Sequence, residues 1–371
     1  MKVLLAAGGT AGHIEPALTL ADTLRAADDT VEIVAIGRED GLEARLIPAR
    51  GYRMRTIPAV PLPRRASKDL ALAPGRVSGS LRRVTAVLRE ERPDVVVGFG
   101  GYVALPAYLA ARRLRLPLVI HEANARAGLA NRVGARLTPW VAEAVPGSLP
   151  GATHVGMPLR ASIRDMRGRA RTASAADARR ALGLDPSLPT LLVFGGSLGA
   201  QRLNVAVTGA AEDLTSAGIQ VLHAAGERGS GMPEGGIRPR SSGEAPYIVV
   251  AYLDRMDLAY AAADLAVTRA GAMTCAELAA VGLPAVYVPL PIGNGEQRLN
   301  AEPVVAAGGG LVIDDADFTA QRVRDTVIPL ALDGARLAAM RDATTGQGVA
   351  DGDERLADLV RAAARLGGRP S

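Results

Sequence analysis

Short apolar runs, each closed by glycine or polar residues, alternate along this chain with longer segments in which alanine and leucine recur at helical spacing. A short apolar run stopped by a turn is the mark of a strand buried on both faces. Its alternation with helical patterns predicts a parallel sheet covered by helices on both sides. In the first half the runs fall at 3–7, 31–36, 52–57, 95–98 and 118–121, with a further short strand near Val155. In the second half they fall at 190–194, 220–224, 248–251, 265–268, 285–288 and 311–313. Gly156-Met157-Pro158 between the two sets reads as a linker, giving one domain over 1–156 and another over 157–371. The C-terminal stretch reads as helical, and its final helix is expected to pack back on the first domain.

Two of the runs end in the same way. Gly8-Gly9-Thr10-Ala11-Gly12 follows the first, and Gly195-Gly196-Ser197-Leu198-Gly199 follows the one at 190–194, each reading as strand, glycine turn, helix. Glycine lets backbone N–H groups approach a ligand closely, and the helix N-terminus behind adds partial positive charge, which suits phosphate or a polar sugar. In open α/β sheets ligands sit beyond the carboxyl ends of the strands, where both turns lie. One such turn is either a tight connection or a ligand seat; the pair, one per half, points to twin α/β domains facing a shared cleft. Neither turn is GxGxxG and neither continues into Gly-Lys-Ser/Thr, so the dinucleotide fingerprint and the P-loop are both poor matches.

Composition narrows the picture. The 371 residues suit two domains of about 150 to 190 residues each. With 48% apolar and 22% charged residues, the chain is expected to be globular throughout. The net charge of +5 favours anionic partners, and arginine supplies nearly all of the positive charge, the lysines being Lys2 and Lys68 alone. Only 3% of residues are aromatic and no basic block alternates with them, which argues against nucleic acid. A single cysteine, Cys275, leaves no internal disulfide and no cysteine-rich metal site. The apolar N-terminal run ends at Gly8, too short for a signal peptide, and no run reaches the about 18 residues of a membrane span, so a soluble cytoplasmic protein is expected.

Two segments have their own texture. From 62 to 88, Leu70, Leu72, Val77, Leu81, Val84 and Leu88 mix with Arg64, Arg65, Lys68, Arg76, Arg82, Arg83 and the adjoining Arg89, with a break expected at Pro74-Gly75. This basic amphipathic stretch is either a surface resting on anionic lipid or an ordinary surface helix with its arginines outward. The residues 226–243, rich in Gly, Pro and Ser, read as a mobile loop.

Candidate chemistry lies at the strand ends. His13 closes the first glycine turn at a helix N-terminus, where the dipole disfavours an imidazolium and a neutral ring can accept a proton. Gly98-Phe99-Gly100-Gly101-Tyr102 forms another glycine turn, and His121-Glu122-Ala123-Asn124 ends a strand in three polar side chains, with Asn131 a turn or two further on. His121 and Glu122 read equally as a buried hydrogen-bonded pair or as direct participants. Further along, Arg269-Ala270-Gly271-Ala272-Met273-Thr274-Cys275-Ala276-Glu277 follows the strand at 265–268, small residues opening a pocket in which Glu277 is placed to accept ribose hydroxyls. Arg269 is a candidate ligand contact there, while Cys275 reads as core. The loop 291–297 ends in Glu296 and Gln297, which offer polar groups to a sugar. Asp315-Ala316-Asp317 and Asp351-Gly352-Asp353 spell DxD but lie late in the chain and read as solvated turns or caps; no metal or cofactor is expected.

In this order, GGTAGH, GFGGY, HEAN, Gly-Met-Pro-Leu-Arg, GGSLGAQRLN, RAGAMTCAE and GNGEQRLNA resemble the MurG family of bacterial N-acetylglucosaminyltransferases over essentially the whole chain. The resemblance implies a GT-B fold, two Rossmann-like domains with parallel sheets facing an interdomain cleft. It implies inverting transfer of GlcNAc from UDP-GlcNAc to the C4 hydroxyl of MurNAc in undecaprenyl-diphospho-MurNAc-pentapeptide. It also implies a peripheral protein on the anionic cytoplasmic face of the membrane, acting in peptidoglycan synthesis. Carried over by position, Ser197 and Arg160 hold the donor diphosphate, Leu253 the uracil through its backbone, and Glu277 the ribose. Gln297 and the turn Ala272, Met273, Thr274 hold the GlcNAc, while Thr10, Ala11, Gly12 and Asn124 match further donor positions. His13 matches the candidate base, with Glu122 as orienter or rival base, and Tyr102 and Asn131 match acceptor positions. The chain has Ala11, Ala123 and Glu296 where the family often has glycine, glutamine and glutamine. The alternatives are a GT-B enzyme with another lipid or natural-product acceptor, a nucleotide-sugar-binding protein without turnover, and a UDP-sugar epimerase.

Overall fold

A computed structural model describes residues 1–57, 69–166, 171–196, 200–226, 245–344, 348–349 and 351–367, and within these the side chains of all but 69–78, 171–174 and 367. Ser197, all but Gly226 of the expected loop over 226–243, and the basic residues Arg64, Arg65 and Lys68 lie outside the described residues. The chain divides into two units, one of Met1–Leu159 with Val349–Ser371 and one of Arg160–Gly348.

The first unit carries seven strands: β1 (Lys2–Ala7), β2 (Glu32–Gly37), β3 (Arg53–Thr56), β4 (Val95–Gly100), β5 (Leu118–Glu122), β6 (Trp140–Glu143) and β7 (Thr153–His154). They pair in parallel in the order β3-β2-β1-β4-β5-β6-β7. Strand period two sends alternate residues to opposite faces, and here both faces are core. Val3, Leu5 and Ala7 meet one cluster with Ile14, Leu18 and Leu356, while Leu4 and Ala6 meet the other with Val84, Ala107 and Tyr108. That double burial is why β1 reads as a continuous apolar run. The C-terminal helix Gly352–Gly367 belongs to this unit: Leu356, Ala357, Val360 and Ala363 are buried against it, and Thr23 Oγ1 donates to Asp353 Oδ2 at 2.8 Å.

The second unit carries β8 (Thr190–Phe194), β9 (Gln220–Ala224), β10 (Tyr247–Val250), β11 (Leu265–Thr268), β12 (Ala285–Tyr287) and β13 (Gly310–Val312), all parallel in the order β10-β9-β8-β11-β12-β13. Both sheets therefore run outward from their first strand in the Rossmann sequence, with a switch point beside β1 and beside β8. Each glycine turn follows that first strand.

Two expectations are corrected. The helix Asp69–Glu91 runs through Pro74-Gly75 without the expected break. One hydrogen bond forgone at Pro74 is offset by the packing of Val84, Val87 and Leu88 into the core further along, while Arg82, Arg83 and Arg89 face outward. The DxD aspartates do stand in a turn at 315–317 and at the start of the helix 352–367, but two of them are engaged by the protein: Asp315 pairs with Arg202 at 2.8 Å and Arg269 at 2.6 Å, and Asp353 is 3% exposed. Among the described residues, no helix is long and apolar enough to cross a membrane.

Candidate functional site

In the first unit the candidate residues gather at the carboxyl ends of β1, β4 and β5. The chain leaves β1 through Gly8 and Gly9, the latter at φ +92°, and enters the helix Ala11–Ala27, whose N-cap is Thr10. Thr10 makes no capping bond with its side chain; its Oγ1 instead sits 3.2 Å from His13 Nδ1. Thr10, Ala11 and Gly12 form the N-cap and first turn, with backbone donors that have no partner within the helix. Burial of the His13 ring pushes its pKa below the ordinary 6.5, opposed by the negative charge of Glu122 and a hydrogen bond to the Gly8 backbone.

Gly100 and Gly101 make room for this ring. Both have positive φ, and a Cβ at Gly100 would lie 3.2 Å from His13 Nε2. A Cβ at Gly101 would lie 2.1 Å from the Gly8 carbonyl oxygen, a backbone atom that cannot rotate away. Gly101→Ala is therefore expected to cost roughly 1–3 kcal/mol of stability from the left-handed backbone alone, and to displace the Gly8 turn. A chemical denaturation midpoint indistinguishable from that of the unaltered chain would refute it.

His121 and Glu122 are neighbours on β5 but have separate partners. His121 is wholly buried; its Nε2–H donates to Gly156 O at 3.0 Å, and burial drives its pKa down to about 4, so it is a neutral structural group. Glu122 is 2% exposed and accepts four hydrogen bonds: Oε1 from Asn124 N at 2.9 Å and Asn124 Nδ2 at 3.0 Å, Oε2 from Gly128 N at 3.1 Å and Asn131 Nδ2 at 3.0 Å. Asn131 is 1% exposed, donates a second bond to His121 O and accepts from Tyr108 OH. The HEAN segment is thus folded around one carboxylate, and Asn131 reaches the site through Glu122. Tyr102 is half-buried. Its hydroxyl donates to Glu43 Oε1, and burial and that carboxylate raise its pKa, keeping the phenol protonated.

The second unit has its own constellation. Arg160 is the N-cap of the short helix Ala161–Arg164, and its Nη2 lies 3.4 Å from Oε1 of Glu277, on the helix Ala272–Val281. Glu277 Oε2 accepts from the buried Tyr260 OH at 2.8 Å. The helix begins at Ala272, Met273 and Thr274 behind Gly271. Asn300 Nδ2 donates to Ala270 O at 3.2 Å, bracing the turn that feeds this helix. Arg269 is 8% exposed and is spent on Val288 O at 3.0 Å and Asp315, so it clamps the turn. Leu253 lies in the loop after β10, partly buried against the core. Gln297 Oε1 accepts from Leu290 N at 2.9 Å, and Glu296 accepts from Asn294 N at 3.0 Å, so both shape the loop 291–297. Gly196, at φ +96°, ends the described part of the second glycine turn.

Sequence reasoning missed Glu43, Tyr260 and Asn300. Glu43 and Tyr260 lie outside every quoted motif and are recognisable only from their partners in space, whereas Asn300 lies within GNGEQRLNA and could have been singled out there.

The two units match different halves of one family description. Residues 3–143 match the glycosyltransferase family 28 N-terminal domain and residues 190–356 its C-terminal domain. The UDP-N-acetylglucosamine--N-acetylmuramyl-(pentapeptide) pyrophosphoryl-undecaprenol N-acetylglucosamine transferase of Streptomyces avermitilis is 57% identical, over 97% of this chain and 98% of the relative. The protein of the same name from Acidothermus cellulolyticus is 56% identical, over 98% of each chain. Among solved structures, the crystal structure of Acinetobacter baumannii MurG shares 26% identity at a TM-score of 0.73, over 97% of this chain and 99% of that one. With two parallel-sheet α/β units in Rossmann order and both half-chain signatures in place, the chain belongs to glycosyltransferase family 28 and, within it, to the MurG family of N-acetylglucosaminyltransferases.

Proposed function

We propose that this chain transfers GlcNAc, with inversion, from UDP-GlcNAc to the C4 hydroxyl of MurNAc in undecaprenyl-diphospho-MurNAc-pentapeptide, forming the disaccharide-bearing lipid of peptidoglycan synthesis. The observation that carries the reading is the His13 ring. It stands directly behind the first glycine turn with a lowered pKa, so it is neutral near neutral pH and able to take a proton. Inversion needs such a base on the side of the sugar opposite the leaving group. As the acceptor oxygen bonds to the anomeric carbon, the bond to the diphosphate breaks, its electron pair leaves with UDP, and the hydroxyl proton passes to His13. The fixed charge of Glu122 stabilises the imidazolium that results.

The donor falls to the second unit. Arg160 offers positive charge to the departing diphosphate, alongside the second glycine turn that includes Ser197. Glu277, held by Tyr260 and Arg160, takes ribose hydroxyls, Leu253 the uracil, and Gln297 with Ala272, Met273 and Thr274 the sugar. Thr10, Ala11, Gly12 and Asn124 complete the donor contacts, and Tyr102, its O–H donating to Glu43, offers the acceptor its hydroxyl oxygen and ring. The outward Arg82, Arg83 and Arg89 suit an anionic lipid surface, at about 1 kcal/mol per basic residue near the headgroups. They support the reading of a peripheral enzyme on the cytoplasmic membrane face.

The test is an assay with radiolabelled UDP-GlcNAc and a lipid-linked MurNAc acceptor analogue. Label is expected in the lipid product in proportion to enzyme. Label that stays in UDP-GlcNAc, or appears as free sugar or an isomer, overturns the reading.

A further inference from the structure

Glu43 is the first residue of the helix Glu43–Ala49 that follows β2, and its side chain is fully buried. A carboxylate with no access to water must be satisfied by protein donors, and the donors around this one are not those of its own helix. Oε1 accepts from Arg38 N at 2.9 Å and from the Tyr102 hydroxyl; Oε2 accepts from Gly9 N at 3.4 Å. The space for it is made by glycines. A Cβ at Gly37 would lie 2.4 Å from Glu43 Cγ, one at Gly41 2.5 Å from its Cδ, and one at Gly8 3.1 Å from its Oε1. Three glycines thus leave out a side chain around one acid.

What the carboxylate joins is the active end of the unit. Gly9 belongs to the turn whose Gly8 backbone is hydrogen-bonded to His13, and Tyr102 follows the Gly100-Gly101 pair that borders the same ring. Tyr102 is gripped twice, by Glu43 at its hydroxyl and by the Arg38 guanidinium 5.5 Å above its ring. Arg38 is itself steadied by Asp40.

We propose that Glu43 is a positioning residue for the transfer reaction, its buried carboxylate tying the first glycine turn, and through it His13, to Tyr102. The proposal rests on the reading of His13 as base. A donor left unpaired at Gly9 or at Tyr102 frees the turn or the phenol, and a shift of about 1 Å at a reacting group is worth about 100-fold in rate.

Glu43→Gln tests it with little change of shape. One carboxylate oxygen becomes an NH2, which faces either the Gly9 N–H or the Arg38 N–H and Tyr102 OH, donor against donor. The expected result is kcat lowered about 10- to 100-fold with the calorimetric Kd for UDP-GlcNAc changed by no more than a few-fold, because most of the donor contacts proposed above belong to the other unit and only the first-turn contacts of Thr10 to Gly12 depend on Glu43. The His13 ring-proton resonances, assigned by their loss in His13→Gln, are expected to move. Gly41→Ala is the second variant: it crowds the carboxylate from behind without touching any group of the site, and is expected to act in the same direction. An unchanged kcat in either variant, or His13 resonances that superimpose on those of the unaltered chain, overturns the proposal. So does a fall in donor affinity that tracks a fall in melting temperature, which marks a merely structural acid. Failure of the unaltered chain to transfer GlcNAc would sink the functional reading alone, since the His13 resonances report the coupling without turnover.

Discussion

Transfer by His13→Ala is expected to be about 10²- to 10⁴-fold slower than by the unaltered enzyme, with the affinity for UDP-GlcNAc within about twofold. The ring contributes a proton acceptor at one step and little to the hold on the nucleotide, so the loss falls on kcat. The pH dependence follows from the same group. Burial lowers the pKa of His13 beneath 6.5, and only the neutral ring can act as base. The neutral fraction is therefore complete at neutral pH and above, and is lost as pH falls through that lowered value. kcat/KM for the acceptor is expected to be flat on the alkaline side and to fall tenfold per pH unit on an acid limb whose midpoint lies below 6.5. Steady-state rates across the range, with calorimetric titration of UDP-GlcNAc into the variant, check both parts. A variant that keeps the rate, or an acid limb that survives it, removes His13 from the chemistry.

The strands were legible because a parallel sheet buries both faces of each strand, which turns β1, β4 and β8 into apolar runs that end at glycine. The logic failed at β6. Trp140-Val141-Ala142-Glu143 is short, follows Pro139 and ends in an acid, so nothing in its pattern separates it from a loop. It is a strand because it pairs in parallel with β5 on one side and β7 on the other, while Glu143, 5% exposed, accepts from Gly147 N at 2.8 Å, Ser148 Oγ at 3.0 Å and Leu149 N at 3.0 Å, closing the turn that follows.

The same division runs through the site. His13, Glu122 and Glu277 stand out as candidates because they lie in motifs at strand ends, where chain chemistry and the expected ligand position coincide, whereas Arg160 comes only from the resemblance of its linker segment. Glu43 and Tyr260 carry no such mark, since each is defined by a partner far along the chain: Tyr102 for one, Glu277 for the other. Asp315 shows the converse. Its DxD spelling points to a metal or a turn, whereas its surroundings make it the ion-pair partner of Arg202 and Arg269. Pairing across distant segments is a property of the folded chain that local sequence does not encode.

Glu122 is where orienter and rival base part company. Four donors converge on its carboxylate, two of them the backbone N–H groups of Asn124 and Gly128, which cannot turn away. Truncation in Glu122→Ala strands both in the interior and is expected to lower stability by roughly 2–6 kcal/mol, at about 1–3 kcal/mol per buried unsatisfied donor. Glu122→Gln is the sharper probe. It keeps the shape, retains an oxygen for one pair of donors, and sets an NH2 against the other. Its negative charge is among the influences holding the His13 pKa up, so its removal lets that pKa fall further. The acid limb of kcat/KM is therefore expected to move to lower pH in Glu122→Gln, while kcat drops about 10- to 100-fold as the imidazolium loses its counter-charge. A carboxylate acting as the base gives the opposite pattern. Its replacement would erase the acid limb and reduce turnover to the level of His13→Ala, and that profile would transfer the proton-accepting role from His13 to Glu122.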